Sequence, residues 1–373
     1  MNQTVERGKT LLVDGPASVL VISGKAEVLG FPVKGTRKIV VREGKRLPFL
    51  VAETASFDIS LGENASSEEV DGNTIPPSWA ESAEVLMGFQ KKPATAMVMG
   101  KADSGKTSFC TYLINKLVSA IQKVAIIDGD LGQSDIGPPC TIAYASITKP
   151  LIELYELKAE NAFFVGATSP SEAVSKTIDG LALMKAEILE TVDFVVVNTD
   201  GWVEGEDAVK YKTQLAEKLE PDLIFCIQQK DELEPLFAAL KFRKIAVVSS
   251  SAVKQRSAEK RKNLREMSYA KYLTDAKVKS LPLSQLTIEE KTVQQIRQGD
   301  EKGLLLGLYD SQRKFLGIGI MREVDSLRKT LKVLTSVSAK PSIIAIGKVR
   351  LDENLKEAPR FLGENGAAQQ VKV

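Results

Sequence analysis

Residues 96–107 read Ala96-Met97-Val98-Met99-Gly100-Lys101-Ala102-Asp103-Ser104-Gly105-Lys106-Thr107. The first four are a short apolar run that predicts a buried strand. The next eight match Gly-x-x-x-x-Gly-Lys-Thr at every fixed position. Beyond them, Phe109, Leu113, Ile114, Leu117 and Val118 recur at helical spacing up to Ile121. A glycine-rich turn between a buried strand and an amphipathic helix is the setting in which this pattern cradles phosphate. Backbone N–H groups turn inward on the phosphate oxygens, and the helix N-terminus adds about half a positive charge. Gly100 to Thr107 are therefore the candidate nucleotide-binding residues. Lys106 is expected to reach the β- and γ-phosphates, and the Thr107 hydroxyl to ligate Mg²⁺ or another divalent cation.

Working outward, Val124–Ile127, Phe194–Val197, Leu223–Ile227 and Ile245–Val248 are further continuous apolar runs. Strands of this kind, separated by helical segments, predict an α/β domain whose parallel sheet is covered on both faces. The second strand ends in Asp128-Gly129-Asp130-Leu131-Gly132-Gln133. A strand beside the phosphate-loop strand is expected to carry an acid at its carboxyl end, where ligands bind in such sheets. Two acids allow two roles: one against the metal or its water shell, the other as a base facing an incoming hydroxyl. Asp128 has an equally good alternative as a cap of the turn.

The flanks read differently. Residues 1 to about 60 hold short β runs (Ser18–Ile22, Lys38–Val41) punctuated by Gly15-Pro16 and Gly30-Phe31-Pro32. Residues 61–78 have loop composition, and Trp79–Phe89 is a candidate helix. Past about 280, the runs 303–309, 315–319, 332–335 and 343–347 predict a small β-rich region with a turn at Asp310-Ser311. The polar stretch 363–373 is expected to fray. The division that follows is an N-terminal β-domain (1–75), a central phosphate-loop domain (76–284) and a C-terminal β-rich domain (285–373).

The chain has 373 residues, 43% apolar and 26% charged, which is ordinary globular composition. It contains no His, so hydrolase triads that need His and His-ligated zinc are excluded. Its three cysteines, Cys110, Cys140 and Cys226, form no Cys-x-x-Cys pair and fit a reducing compartment. The polar first residues lack the apolar core of a signal peptide, and no apolar run approaches the roughly 18 residues of a membrane span. The expectation is a soluble intracellular, cytoplasmic protein with no membrane partner. The net charge of +2 hides an asymmetry: Val51–Gln90 has eight acids and no base, whereas Lys241–Lys279 has twelve bases and three acids. Such a basic block is either a solvated face or a surface for a polyanion.

A guanine-reading Asn-Lys-x-Asp is not found after the later strands: Phe194–Val197 is followed by Asn198-Thr199-Asp200-Gly201-Trp202. The phosphate loop, Asp128–Gln133 as Asp-x-Asp-x-Gly-Gln, Thr199–Trp202 as Thr-x-Gly-Trp, and Arg256, Arg261 and Arg265 occur in that order. In this the chain resembles the polynucleotide 5′-hydroxyl-kinase family, which includes eukaryotic pre-mRNA cleavage-factor kinase homologues, nucleolar rRNA-processing kinases and archaeal relatives.

The resemblance implies an ATP-dependent kinase of nucleic-acid 5′-hydroxyl ends, RNA favoured, with adenine against the N-terminal β-domain. It implies that Asp130 accepts the hydroxyl proton and that Asp128 lies in the metal's outer shell. Gln133, Thr199, Gly201, Trp202 and Arg265 would bind the acceptor strand. Lys106, Arg256 and Arg261 would be the catalytic cations; because a spacing of five does not place both arginines on one tight helix face, one would serve the transferring phosphate and the other the acceptor. Trp202 would stack a terminal base, the alternative being a core Trp. Two other readings stay open: an ATP-bound silent scaffold of an RNA-processing complex, with protein partners, and a partitioning-type ATPase. The complete catalytic set weighs against the first, and the Thr-x-Gly-Trp segment against the second.

Overall fold

The computed structural model describes residues 1–358 apart from Lys34, Thr36, 290–301 and Ser326; the expected frayed stretch 363–373 lies outside the described residues. Contacts divide the chain into two compact units, one ending at Arg265 and one beginning at Glu266.

The first unit opens with seven strands: β1 (Asn2–Val5), β2 (Thr10–Asp14), β3 (Ala17–Val28), β4 (Phe31–Val33), β5 (Ile39–Val41), β6 (Arg46–Leu61) and β7 (Ser66–Val70). They form one antiparallel sheet in the order β4-β3-β6-β2-β7, with β1 also on β6 and β5 on β3. The long strands β3 and β6 bend together through register shifts between Val21 and Ala26. Gly24 permits this: its φ is +81°, and a Cβ there would lie 2.2 Å from the Thr54 carbonyl. Leu11, Val13, Val19, Phe49 and Phe57 fill the core. β7 corrects the loop expected over 61–78. Its sequence, Ser-Ser-Glu-Glu-Val, lacks apolar alternation because it is an edge strand, held by backbone pairing to β2.

The same unit continues with α1 (Pro77–Met87), β8 (Ala94–Gly100), α2 (Lys106–Ser119), β9 (Val124–Gly129), β10 (Thr141–Ile147), β11 (Asn161–Phe164), α3 (Val174–Ile188), β12 (Phe194–Thr199), α4 (Glu206–Leu219), β13 (Leu223–Gln228), α5 (Glu234–Ala239) and β14 (Lys244–Val248). Helix α6 (Ala258–Tyr272) follows and runs past Arg265. The sheet order is β11-β10-β9-β12-β8-β13-β14. Every residue of β8, β9 and β12 is buried, which is why these segments are mostly apolar, with the polar Asp128, Asn198 and Thr199 confined to the carboxyl ends of β9 and β12.

Two expectations are corrected. The sheet is not wholly parallel: β10 and β11 add an antiparallel edge. A loop, not a helix, connects β9 to β10, so the chain returns in the opposite direction. Nor is β9 the neighbour of the phosphate-loop strand. β12 lies between β8 and β9, pairing in parallel with both, so the strand that carries Asn198 and Thr199 lies next to the phosphate loop.

Ion pairs join the N-terminal sheet to the central one within this unit. Arg42 donates to Asp135 (2.8 Å) and Glu153 (2.7 Å), and Lys45 to Asp135 (2.7 Å). Burial opposes the charge of the Asp135 carboxyl, but Lys45 and Arg42 overcome it and hold its pKa down at about 2. The buried amide of Asn115 on α2 donates to the Leu29 carbonyl (2.9 Å) and the Leu151 carbonyl (2.8 Å).

The second unit holds β15 (Lys277–Pro282), β16 (Thr287–Glu289), β17 (Leu304–Tyr309), β18 (Phe315–Asp325), β19 (Thr330–Thr335) and β20 (Ile343–Arg350), in the order β15-β19-β18-β17-β20-β16. Leu306, Leu308, Met321, Val333 and Ile344 form its core. The β17–β18 turn is closed by Asp310, whose Oδ1 accepts from the N–H groups of Gln312 (2.8 Å) and Lys314 (2.9 Å). The polar edge strands β15 and β16 are elements that apolar patterning alone does not reveal.

Candidate active site

The phosphate loop joins β8 to α2. Gly105 adopts φ +94° at the helix entrance, and Asp103 adopts φ +56° inside the loop. Lys106 is buried; its Nζ donates to the carbonyls of Gly100 (3.0 Å) and Lys101 (2.7 Å). Burial lowers the pKa of this ammonium, and the nearby Asp130 is the main group opposing that shift. Lys106 and Asp130 therefore share one electrostatic environment.

Asp128 is fully buried and encircled by donors. Oδ2 accepts from the N–H of Asp135 (2.7 Å) and the Ser134 hydroxyl (3.2 Å), and Oδ1 from Asn198 Nδ2 (3.0 Å). Burial, then Asp135 and Asp130, push its pKa up to about 7. Asp128 thus caps the turn that follows β9 and reaches Thr107 only through Asn198, whose Nδ2 is 3.4 Å from the Thr107 hydroxyl oxygen. Asp130 is only partly buried. Its Oδ1 accepts from the N–H groups of Gly132 (3.1 Å) and Gln133 (2.9 Å). Among the described residues no hydrogen bond engages its Oδ2.

A hard divalent cation fits this corner. Asn198 Oδ1 is buried with no hydrogen-bond partner among the described residues, and an orphaned buried acceptor calls for a ligand. The Thr107 hydroxyl oxygen lies 3.4 Å from the nitrogen of the same amide, and hydroxyl and amide oxygens are ligands of the type magnesium prefers.

The segment after β12 packs onto the phosphate loop. The Thr199 hydroxyl donates to the Val98 carbonyl (2.8 Å). Gly201 faces Ala102 so closely that a Cβ would lie 2.6 Å from the Ala102 nitrogen. Gly201→Ala is therefore expected to push this segment off the loop and to weaken ATP binding by about tenfold or more. Titration with a fluorescent ATP analogue checks this; unchanged affinity would show that the two loops move independently.

Trp202 is half-buried. One ring face stacks on Tyr211, with centroids 5.5 Å apart and an interplanar angle of 19°. Beneath it lies a buried polar knot. Asp200 accepts from the Trp202 N–H (2.9 Å), the Tyr211 hydroxyl (2.8 Å) and Lys212 Nζ (2.8 Å). Lys212 has no exposed side-chain surface. Burial lowers its pKa, and Asp200 opposes that shift.

Both Arg256, just ahead of α6, and Arg261, in its first turn, reach Asp103. Arg256 Nε donates to Oδ1 (2.7 Å) and Arg261 Nη1 to Oδ2 (3.0 Å). Five residues apart, the two side chains still converge because one precedes the helix and the other lies on it. Gln133 Nε2 donates to the Arg261 carbonyl (3.0 Å), linking the segment after β9 to the same helix. Arg265 lies one turn further along α6 and is partly buried. Among the described residues no hydrogen bond or ring contact joins Trp202 to Arg256 or Arg261.

Asn198, Asp200 and Lys212 belong to this site without a motif to announce them. Lys212 alone left a trace: it interrupts the apolar stripe Ala208, Tyr211, Leu215, Leu219 of α4.

Residues 100–275 match the family model described as mRNA cleavage and polyadenylation factor CLP1 P-loop. A polyribonucleotide 5′-hydroxyl-kinase of Pyrococcus abyssi is 26% identical over 349 residues, covering 79% of this chain and 97% of the relative. One of Methanocaldococcus jannaschii is 27% identical over 352 residues, with the same coverage of 79% and 97%. Over most of its length the chain is similar to archaeal polyribonucleotide 5′-hydroxyl-kinases. A eukaryotic relative, the polyribonucleotide 5′-hydroxyl-kinase Clp1 of Danio rerio, is 26% identical over 68% of this chain and 60% of its own length. The fold agrees with the solved wild-type Clp1p–Pcf11p complex, at a TM-score of 0.72, 14% identity, and coverage of 94% of this chain and 97% of that one. No described helix is long and apolar enough to cross a membrane.

Proposed function

We infer that this chain is an ATP-dependent kinase that phosphorylates the 5′-hydroxyl end of RNA. The observation that carries the reading is that Arg256 and Arg261 are both held on the phosphate loop through Asp103, with Lys106 in that loop under the electrostatic influence of Asp130.

ATP lies with its phosphates along Gly100–Thr107, and Lys106 swings from the loop carbonyls to the β- and γ-phosphates. The Thr107 hydroxyl and Asn198, with Asp128 behind them, would hold magnesium, which would supply neutralisation of the phosphate charge. Asp130, fixed through Oδ1, offers Oδ2 to the 5′-hydroxyl, orients it and takes its proton as the γ-phosphoryl group transfers in line. Arg256 and Arg261 stabilise charge on the equatorial oxygens. Trp202, already stacked on Tyr211, presents its other face to the terminal base; such stacking contributes about 1–3 kcal/mol. Gln133, Thr199, Gly201 and Arg265 shape the acceptor site. ADP and a 5′-phosphorylated strand leave. The three-part division at about residues 75 and 284 belongs to this proposal, as do a preference for RNA over DNA and a cytoplasmic setting.

The silent-scaffold alternative is not favoured, since Lys106, Thr107, Asp130 and both arginines are present and gathered. The test is transfer of label from γ-³²P-ATP to short oligonucleotides, comparing 5′-hydroxyl RNA, 5′-hydroxyl DNA and 5′-phosphate RNA. Label on 5′-hydroxyl ends only, lost in Lys106→Ala, is the expected result. ATP binding without any label would return the scaffold to first place.

A further inference from the structure

The phosphate loop contains a group that its own chemistry does not need. Asp103 stands in the middle of Gly100–Thr107, in the left-handed region, with only 1% of its side chain exposed. A buried carboxylate inside a loop built to hold polyphosphate repels the ligand unless cations neutralise it. Those cations are Arg256 and Arg261.

The contacts are divided between the two carboxylate oxygens. Oδ1 takes Arg256 Nε (2.7 Å) and Nη2 (2.5 Å). Oδ2 takes the Arg256 backbone N–H (2.9 Å) and Arg261 Nη1 (3.0 Å). Arg261 Nη1 also donates to the Arg256 carbonyl (2.8 Å), closing a ring of contacts at the start of α6. Among the described residues no protein group takes Arg256 Nη1 or Arg261 Nε and Nη2. Asp103 thus holds one edge of each guanidinium and leaves the other edge for an anion. Two cations against one carboxylate also leave a net positive charge beside the phosphate loop.

We propose that Asp103 is a positioning residue of the kinase, the anchor that docks both arginines, and with them the first turn of α6, over the phosphate loop. This rests on the function inferred above. Asp103 touches neither reacting oxygen. It converts two long, rotamer-rich side chains into a fixed pair before the nucleotide arrives, so the ordering cost is met in folding and not in the transition state.

The experiment compares the full chain with Asp103→Asn, which keeps the shape and removes the charge. The first readout needs no activity: hydrogen exchange over 256–265. The Arg256 amide loses its charged acceptor, and exchange there is expected to rise about tenfold or more. The second is a kinetic split on 5′-hydroxyl RNA. kcat is expected to fall about 10²-fold, the scale of a misplaced catalytic group, a larger change than that in ATP affinity. The third is a double-mutant cycle: in an Arg256→Ala/Arg261→Ala background, Asp103→Asn is expected to cause no further loss of kcat.

Unchanged exchange in Asp103→Asn, or an equal loss of kcat with and without the arginines, overturns the anchor while leaving the kinase reading intact. Wild-type protein that labels no 5′-hydroxyl end overturns the kinase reading and the positioning role with it, and exchange then still decides whether Asp103 holds the arginines.

Discussion

Asp130→Asn is expected to abolish phosphoryl transfer to 5′-hydroxyl RNA and to leave ATP binding in place. The expected loss is about 10²–10⁴-fold, the contribution of a positioned general base. The substitution keeps the acceptor at Oδ1, so the turns to Gly132 and Gln133 survive. What disappears is the second carboxylate oxygen, the one free to take a proton. Asp128→Asn is the contrasting variant. Its carboxylate is buried and fully engaged by Asp135, Ser134 and Asn198, so its loss acts through the turn and Asn198, not at the attacking hydroxyl. Single-turnover transfer and a binding titration on each variant separate the two acids. Full activity in Asp130→Asn would remove it as the base.

The largest stability effect is expected at Asp200. Asp200→Ala leaves Lys212 charged and unpaired where no side-chain surface is exposed. Breaking a buried pair from one side costs about 3–5 kcal/mol. It also frees the Tyr211 hydroxyl and the Trp202 N–H, both of which donate to Asp200. The thermal midpoint should fall by about 10 °C, from about 2–4 °C per kcal/mol at this size. The cross-check is Asp200→Ala with Lys212→Met. Removing both charges should restore most of the stability, because an apolar replacement of a buried ion pair is often neutral. The repaired protein should still bind RNA ends more weakly than wild type, since Asp200 no longer holds the Trp202 turn. A double variant as unstable as the single one would mean that Lys212 is not the source of the penalty.

Much of this molecule is legible in its amino acids. The phosphate loop announces itself because its chemistry needs glycine, lysine and a hydroxyl at fixed spacing, all within one turn of chain. The buried strands β8, β9, β12 and β13 announce themselves because being covered on both faces makes each of them a mostly apolar run. Polar edge strands do not: β7 and β15 are held by backbone hydrogen bonds, to which any side chain is indifferent. The antiparallel edge β10–β11 depends on a loop replacing a helix, and apolar content does not reveal it.

The sequence by itself determined the phosphate loop, the α/β class and the resemblance to 5′-hydroxyl-kinases, because each motif depends on residues near one another in the chain. Only the tertiary structure decided who meets whom. It set β12 between the loop strand and the strand of Asp128, which makes Asn198 the link to Thr107. It put Lys212 under Asp200, and Arg256 and Arg261 on Asp103, across more than 150 residues of chain. Such pairings depend on strand order and on burial, which give a charge its partner only once the sheet has closed.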